Sequence, residues 1–215
     1  MKWVYKMGDL EYNKNMMMQE GFVEYMKLGE KKISSEAIFD GNILHVRRDS
    51  IELPNGKPAT REYVRHIGAV AVLPLTDEGE VVLERQYRYP FGEILIEIPA
   101  GKLESPEEDP RKAALRELAE ETGADADELV YLGDYYASPA ILDERIRLYL
   151  ARGLTFRTPH TDEDEFLEVF RMPLEELVRE VVAGNIPDGK TQVCAMRVYH
   201  MLKNEEEEHK HETQL

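Results

Sequence analysis

Glu117, Glu120 and Glu121 stand in the run R-E-L-A-E-E-T-G at residues 116–123, with Glu107 and Glu108 a short way upstream. On an α-helix Glu117 and Glu121 lie nearly one above the other and Glu120 falls about 60° to the side, so three carboxylates share one edge. Arg116 can pair with Glu120 but cannot neutralise all three. Like charges at this spacing cost only about 0.2–0.5 kcal/mol per pair on an exposed helix, so a plain solvated acidic face is energetically cheap. The surroundings favour a second reading. Pro99 and Gly101 precede the helix as a loop, Gly123 closes it, and the triplet sits near the C-terminus, where the helix dipole disfavours anions. Divalent cations would supply the missing charge. An oxygen-only donor set suits Mg²⁺ or Mn²⁺, and the lack of a nearby His and Cys pair argues against zinc. Such ions neutralise a pyrophosphate, polarise its phosphorus and acidify an attacking water.

The elements that must position these groups are legible in outline. Asp109 as N-cap, Pro110 in the first turn, the apolar Ala113, Ala114, Leu115 and Leu118, and Gly123 at the left-handed C-terminal position predict a helix from about 110 to 122. Before it, turn signals at Asp40-Gly41 and Pro54-Asn55-Gly56 separate strand-like runs at 43–46, 51–53 and 61–64, a small antiparallel unit. Core strands are expected over 69–75, 81–88 and 93–98, and further strands over 130–137, 145–151 and 166–171. Two helices follow, Leu174 to Ala183 and about Thr191 to Leu202. The expected organisation is an extension over 1–33, the β unit over 34–66, a main domain over 67–203 and an acidic tail over 204–215. Mixed strands with one central and two terminal helices predict a mixed sheet covered by helices. His209 and His211 in the tail read as solvated rather than metal-binding.

Composition narrows the partners. The 215 residues carry 43 Asp and Glu against 27 Lys and Arg, a formal charge of −16, which repels nucleic acid and anionic lipid. A small anionic substrate remains compatible if metal ions and a few arginines reverse the potential inside one cleft. The single cysteine, Cys194, rules out an intramolecular disulfide and reads as a buried small hydrophobe. No apolar run approaches the roughly 18 residues a membrane helix needs, and a cytoplasmic, unsecreted protein is expected.

The acidic segment resembles the signature of the Nudix hydrolases, Gly-x5-Glu-x7-Arg-Glu-U-x-Glu-Glu-x-Gly-U with U apolar. Gly101 and the run Arg116-Glu117-Leu118-x-Glu120-Glu121-x-Gly123-Ala124 fit it. The departure is one extra loop residue: counting from Gly101 selects Glu107, counting back from Arg116 selects Glu108. Glu108 is preferred because the helix fixes the register and a loop absorbs an insertion. The stretches "REYVRHIGAVAVLPL", "VVLERQYRYPFGEILIEIPAGKLE", "YYASPAILDERIRLYLARGL", "DEDEFLEVFRMPLEEL" and "GNIPDGKT" resemble the ADP-ribose pyrophosphatase branch, as does Pro139 fifteen residues beyond Ala124. Ala140 departs from the Gly often found after Ser-Pro there.

This resemblance implies an α/β/α sandwich with a mixed sheet, preceded by the small β unit, and Mg²⁺-dependent cleavage of a nucleoside diphosphate sugar, with Mn²⁺ as a possible substitute. ADP-ribose, cut to AMP and ribose 5-phosphate, is the leading substrate; a UDP-sugar or GDP-mannose is the alternative within the chemistry. An ADP-ribose sensor without catalysis is the alternative outside it, and the intact box speaks against that. The resemblance implies metal ligation by Glu117 and Glu121 with Glu120 assisting, by the carbonyl of Ala100 and by a loop carboxylate, Glu165 or its neighbour Glu163. One of those two would orient or deprotonate water. Arg61 and Arg88 match arginines that bind the substrate's phosphates and neighbouring groups. Tyr87, Tyr89 and Phe91 suit either a nucleoside pocket or packing. Asn42 stands where some relatives carry Phe. The branch also implies a homodimer that exchanges the N-terminal β unit and places Arg61 in the partner's cleft.

Overall fold

The computed structural model describes residues 28–158 and 166–212. The chain divides into two compact units that meet at the Arg65–His66 bond. The first is a three-stranded antiparallel sheet of β1 (Lys31–Asp40), β2 (His45–Glu52) and β3 (Pro58–Arg65), in that order. Its turns are those the sequence signals: Gly41 N–H donates to Leu44 O at 2.9 Å, and Gly56, at φ 78°, closes the β2–β3 turn. β1 is a strand for which the residue pattern gives no expectation. Register shifts at Lys32/Ser34 and Ala37/Phe39 interrupt its alternation, and all ten of its residues are exposed.

The second unit is built on a four-stranded sheet, ordered β7 (Ala100–Lys102), β4 (Ala69–Pro74), β9 (Ile146–Phe156) and β8 (Ala124–Tyr135). β4 and β9 are parallel and the outer pairs antiparallel. A second, antiparallel sheet runs β10 (Leu167–Pro173), β5 (Glu80–Arg88), β6 (Glu93–Glu97). β4 is buried on both faces, and its alternate residues enter two cores. Val70 and Val72 join Tyr149, Ala151 and the inner face of α1 (Pro110–Thr122). Ala69, Ala71 and Leu73 join Leu148, Leu150, Leu83 and Ile98, with α2 (Leu174–Ala183) and α3 (Gly189–Glu212). This is the expected mixed sheet between helices.

Two elements outrun their sequence signals. α3 continues to Glu212, through the run read as a charged tail, and Arg152 donates to Glu205 at 3.3 Å along it. β8 begins at Ala124, directly after the α1 C-cap Gly123 at φ 70°. Cys194 is fully buried in the α3 core contact, and burial pushes its thiol up to about 12. Among the described residues no helix is long and apolar enough to cross a membrane.

Candidate active site at the acidic helix

α1 begins and ends where its capping residues dictate. Asp109 accepts the Arg111 N–H at 2.9 Å, Pro110 occupies the first turn, and Ala113, Ala114 and Leu118 bury its inner face. Glu121 falls at the rim of that face and is 2% exposed. Its carboxylate accepts the Ala100 N–H at 3.0 Å, which ties the helix to β7 and sets the Ala100 peptide beside it. Glu117 stands one turn earlier with its carboxyl against the backbone of Gly101, in the space a Cβ at that position would fill. Any larger residue at 101 would displace the Glu117 carboxylate. Here the glycine is needed for space, and its φ is not in the left-handed region.

Arg116 is the hub of the outer edge. It donates to Glu117 at 2.8 Å and to Glu120 at 3.0 Å, reaches Glu108 at 3.4 Å, and donates to Lys102 O at 3.3 Å. Partial burial alone would lower its pKa, but Glu117, Glu108 and Glu120 together raise it, so the guanidinium is firmly charged. Glu108 also accepts the Glu104 N–H at 2.6 Å; that bond and Arg116 hold its carboxyl below the usual range. The loop therefore brings Glu108 to Arg116, while Glu107 points into solvent.

Arg88 lies near the end of β5 and grips Glu97 of β6 through Nε at 2.6 Å and Nη2 at 2.7 Å. This fork leaves the Nη1 amine outside it, and the side chain is 37% exposed. Glu97 is buried and also binds Lys190. Burial pushes the Glu97 carboxyl up, but Arg88 and Lys190 outweigh it and the net shift is downward. Phe91, Leu95, Tyr135, Pro187, Asp188 and Lys190 line an adjoining cavity of about 350 Å³. Tyr87 and Tyr89 are exposed, as is Phe91 apart from that cavity, so none of the three is core. Pro139 and Ala140 lie exposed in the loop between β8 and β9, and Asn42 in the β1–β2 turn.

Arg61 sits on β3 of the N-terminal unit and is bound there to Glu30. Glu163 and Glu165 lie outside the described residues, as do the side chains of His209 and His211. The spacing of the sequence did not single out Glu97 and Lys190. A carboxylate in the middle of the apolar run I-L-I-E-I-P was the available signal, since a charge in a buried strand must be paired.

A divalent cation is tested by what the helix edge offers. Glu117 and Glu121 flank the Ala100–Gly101 backbone, and every donor is oxygen, which fits Mg²⁺ or Mn²⁺ and not zinc. Among the described residues no three acidic or imidazole side chains converge as a preformed cage. Mg²⁺ does not require one, because it binds through one or two carboxylates with water and substrate oxygens completing the shell.

Comparison with known proteins gives the family. Residues 65–193 match the NUDIX domain, and residues 30–64 match the nucleoside diphosphate sugar hydrolase N-terminal domain. An ADP-ribose pyrophosphatase of Bacillus subtilis is 45% identical over 76% of this chain and 89% of its own length. A methanol dehydrogenase activator of Bacillus methanolicus is 44% identical over 77% of this chain and 90% of its own. An ADP-ribose pyrophosphatase of Mycobacterium tuberculosis is 39% identical over 72% and 75%. Among solved structures, one described as an ADP compounds hydrolase covers 83% of this chain and 97% of its own at TM-score 0.71 and 23% identity, a likeness of fold. With the box residues assembled on α1 and the family match spanning both units, the chain belongs to the NUDIX family and is a NUDIX hydrolase.

Proposed function

We propose that the chain hydrolyses the pyrophosphate bond of a nucleoside diphosphate sugar, ADP-ribose before others, giving AMP and ribose 5-phosphate. The observation that carries this reading is the seating of Glu117 and Glu121 against the Ala100–Gly101 backbone, with Arg116 holding the outer carboxylates. NUDIX hydrolases generally need a divalent metal. Mg²⁺ is the proposed ion, with Mn²⁺ as substitute; Glu117, Glu121, the Ala100 carbonyl and Glu165 would hold it, and Glu120 would assist. When bound, the ion offsets diphosphate charge and makes water a better nucleophile. The protein residues do the rest. Arg88, fixed by Glu97 through Nε and Nη2 and partly exposed, offers Nη1 to a phosphate oxygen. Glu163 or Glu165 takes the proton from the attacking water. The water oxygen joins one phosphorus as the bridging P–O bond breaks.

The N-terminal sheet is proposed to exchange across a homodimer and to present Arg61 to the partner's cleft. The exposed apolar residues of its first strand and turn, Ile33, Ile38, Phe39, Ile43 and Leu44, support a partner for this sheet. The single cysteine of the sequence fits a proposed reducing, cytoplasmic location.

GDP-mannose is the second reading, favoured by relatives such as the GDP-mannose pyrophosphatase of Pectobacterium atrosepticum, 34% identical over 75% of this chain. A panel of ADP-ribose, GDP-mannose and UDP-glucose with Mg²⁺ and a coupled phosphatase separates the readings. The highest kcat/KM is expected for ADP-ribose. A preference for GDP-mannose would move the assignment within the family, and binding without phosphate release from any of them would turn it to a sensor.

A further inference from the structure

The stretch from the end of β6 to the start of β7, residues 97–100, is tied down one residue at a time by four different parts of the second unit. The Glu97 carboxylate is held by Arg88 at 2.6 and 2.7 Å and by Lys190. Ile98 N–H donates to Thr191 Oγ1 at 2.9 Å. Pro99 O accepts the Val72 N–H at 2.9 Å, and Ala100 N–H donates to Glu121 at 3.0 Å. The first two of these ties reach the first turn of α3. There Asp188 orders the donors, accepting from Lys190 Nζ at 3.0 Å, from Thr191 N–H at 2.9 Å and from the Thr191 hydroxyl at 2.5 Å.

The burial of this cluster decides how much it controls. Ile98 and Thr191 are fully buried, Glu97 is 1% exposed and Lys190 8%. Water cannot replace a bond lost here, so a missing partner must be answered by movement of the backbone or of Arg88. Lys190 is not a spare cation for a phosphate. Arg88 and Lys190 are matched by Glu97 and Asp188, and the buried Glu84 stands opposite Glu97 in the β5–β6 ladder. Of the two cations only Arg88 reaches solvent appreciably. Lys190 therefore acts through Glu97.

We propose that Asp188, Lys190 and Thr191 are positioning residues for diphosphate hydrolysis: Lys190 sets the Arg88 guanidinium through Glu97, and Thr191 sets the Ala100 carbonyl through the Ile98 N–H. This rests on the function proposed above. One helix terminus thereby sets the spacing between the arginine that meets the phosphate and the turn that meets the metal. Lys190 shares the Glu97 charge with Arg88; without it Glu97 has one cation, and the guanidinium is drawn in or re-aimed. Without the Thr191 oxygen the Ile98 peptide loses its acceptor, two residues before Ala100.

The two arms are tested separately on the full-length chain. In the first, Lys190→Met, Arg88→Ala and the double variant are assayed with ADP-ribose. Each single variant is expected to raise KM about tenfold with kcat within about threefold, and the double variant to be no worse than Arg88→Ala alone. Independent, multiplying effects would overturn the Lys190 arm, since a merely structural lysine has no reason to depend on Arg88. Should Lys190→Met fail to fold, Lys190→Gln, which keeps a donor toward Glu97 and Asp188, takes its place. In the second arm, Mn²⁺ binding to the protein alone is followed by electron paramagnetic resonance. Thr191→Val is expected to weaken it at least about threefold, and Thr191→Ser, which keeps the oxygen, to restore it. Unchanged Mn²⁺ affinity in a folded Thr191→Val variant would overturn the Thr191 arm. If the wild-type chain does not turn over ADP-ribose, the substrate reading falls, while the Mn²⁺ arm still decides the role of Thr191.

Discussion

Arg116 faces carboxylates at Glu108, Glu117 and Glu120, so a single guanidinium organises the outer edge of the helix while Glu121 is held from within by the Ala100 N–H. The two groups of carboxylates have different work. In the proposed site Glu121 and Glu117 would define where a cation sits, while Glu108 ties the loop to Arg116. This distinction bears on the inserted loop residue. Glu108 bonds both Arg116 and the Glu104 N–H, whereas Glu107 is exposed. Glu108→Gln is expected to lower kcat/KM by at least about tenfold, and Glu107→Gln to leave it within about twofold. Steady-state kinetics on the two variants decide the register; equal losses or the reverse order would mean that Glu107 is the functional member.

At the level of elements, the helix was readable because each of its determinants is local. Cap, proline, apolar spacing and closing glycine agree, and the helix then fixes the angular positions of Glu117, Glu120 and Glu121. β7 was not readable as a strand, since three residues carry no period. β1 was not readable because two register shifts break its alternation. The Glu97–Lys190 pair was illegible for another reason: its members are 93 residues apart, and only the folding of the chain brings the start of α3 to the end of β6. That pair also predicts a pH response. Burial raises the Glu97 carboxyl, but its two cations pull it net below the ordinary 4.5. For Lys190 burial lowers the pKa, but Asp188 and Glu97 carry it above the ordinary 10.5. A depressed carboxyl contributes stability that is present above 4.5 and lost as pH falls through the folded value. A raised ammonium contributes stability that is present below 10.5 and lost as pH rises through its folded value. Glu97→Gln should therefore cost about 3 kcal/mol near neutrality and progressively less below pH about 4.5, because the carboxyl of the unfolded chain takes up a proton there while the folded one does so only at its own lower value. Tm of both proteins across pH 3–8 measures this, and a constant Tm difference down to pH 3 would contradict the assignment.

At the scale of the whole molecule, a three-stranded sheet of roughly 35 residues is too small to bury its own core, and an entirely exposed first strand is what such a sheet presents before a partner covers it. The proposed two-fold dimer gives two clefts, each with Glu117 and Glu121 from one chain and Arg61 from the other. Mixing inactive Glu121→Gln and Arg61→Ala chains should then recover about a quarter of wild-type activity, because half of randomly formed dimers are mixed and each holds one intact cleft. Mixed dimers that form yet stay inactive would confine Arg61 to its own chain or remove it from the chemistry. Everything here depends on the helix edge being the place where the diphosphate is cut. The most direct test compares wild type with Glu121→Gln at saturating Mg²⁺ and ADP-ribose, following AMP and ribose 5-phosphate while Tm confirms that both are folded. The glutamine can still accept the Ala100 N–H but lacks the charge a cation needs, so turnover should fall by about 10³-fold at little change in Tm. Wild-type turnover by Glu121→Gln under those conditions would contradict the account.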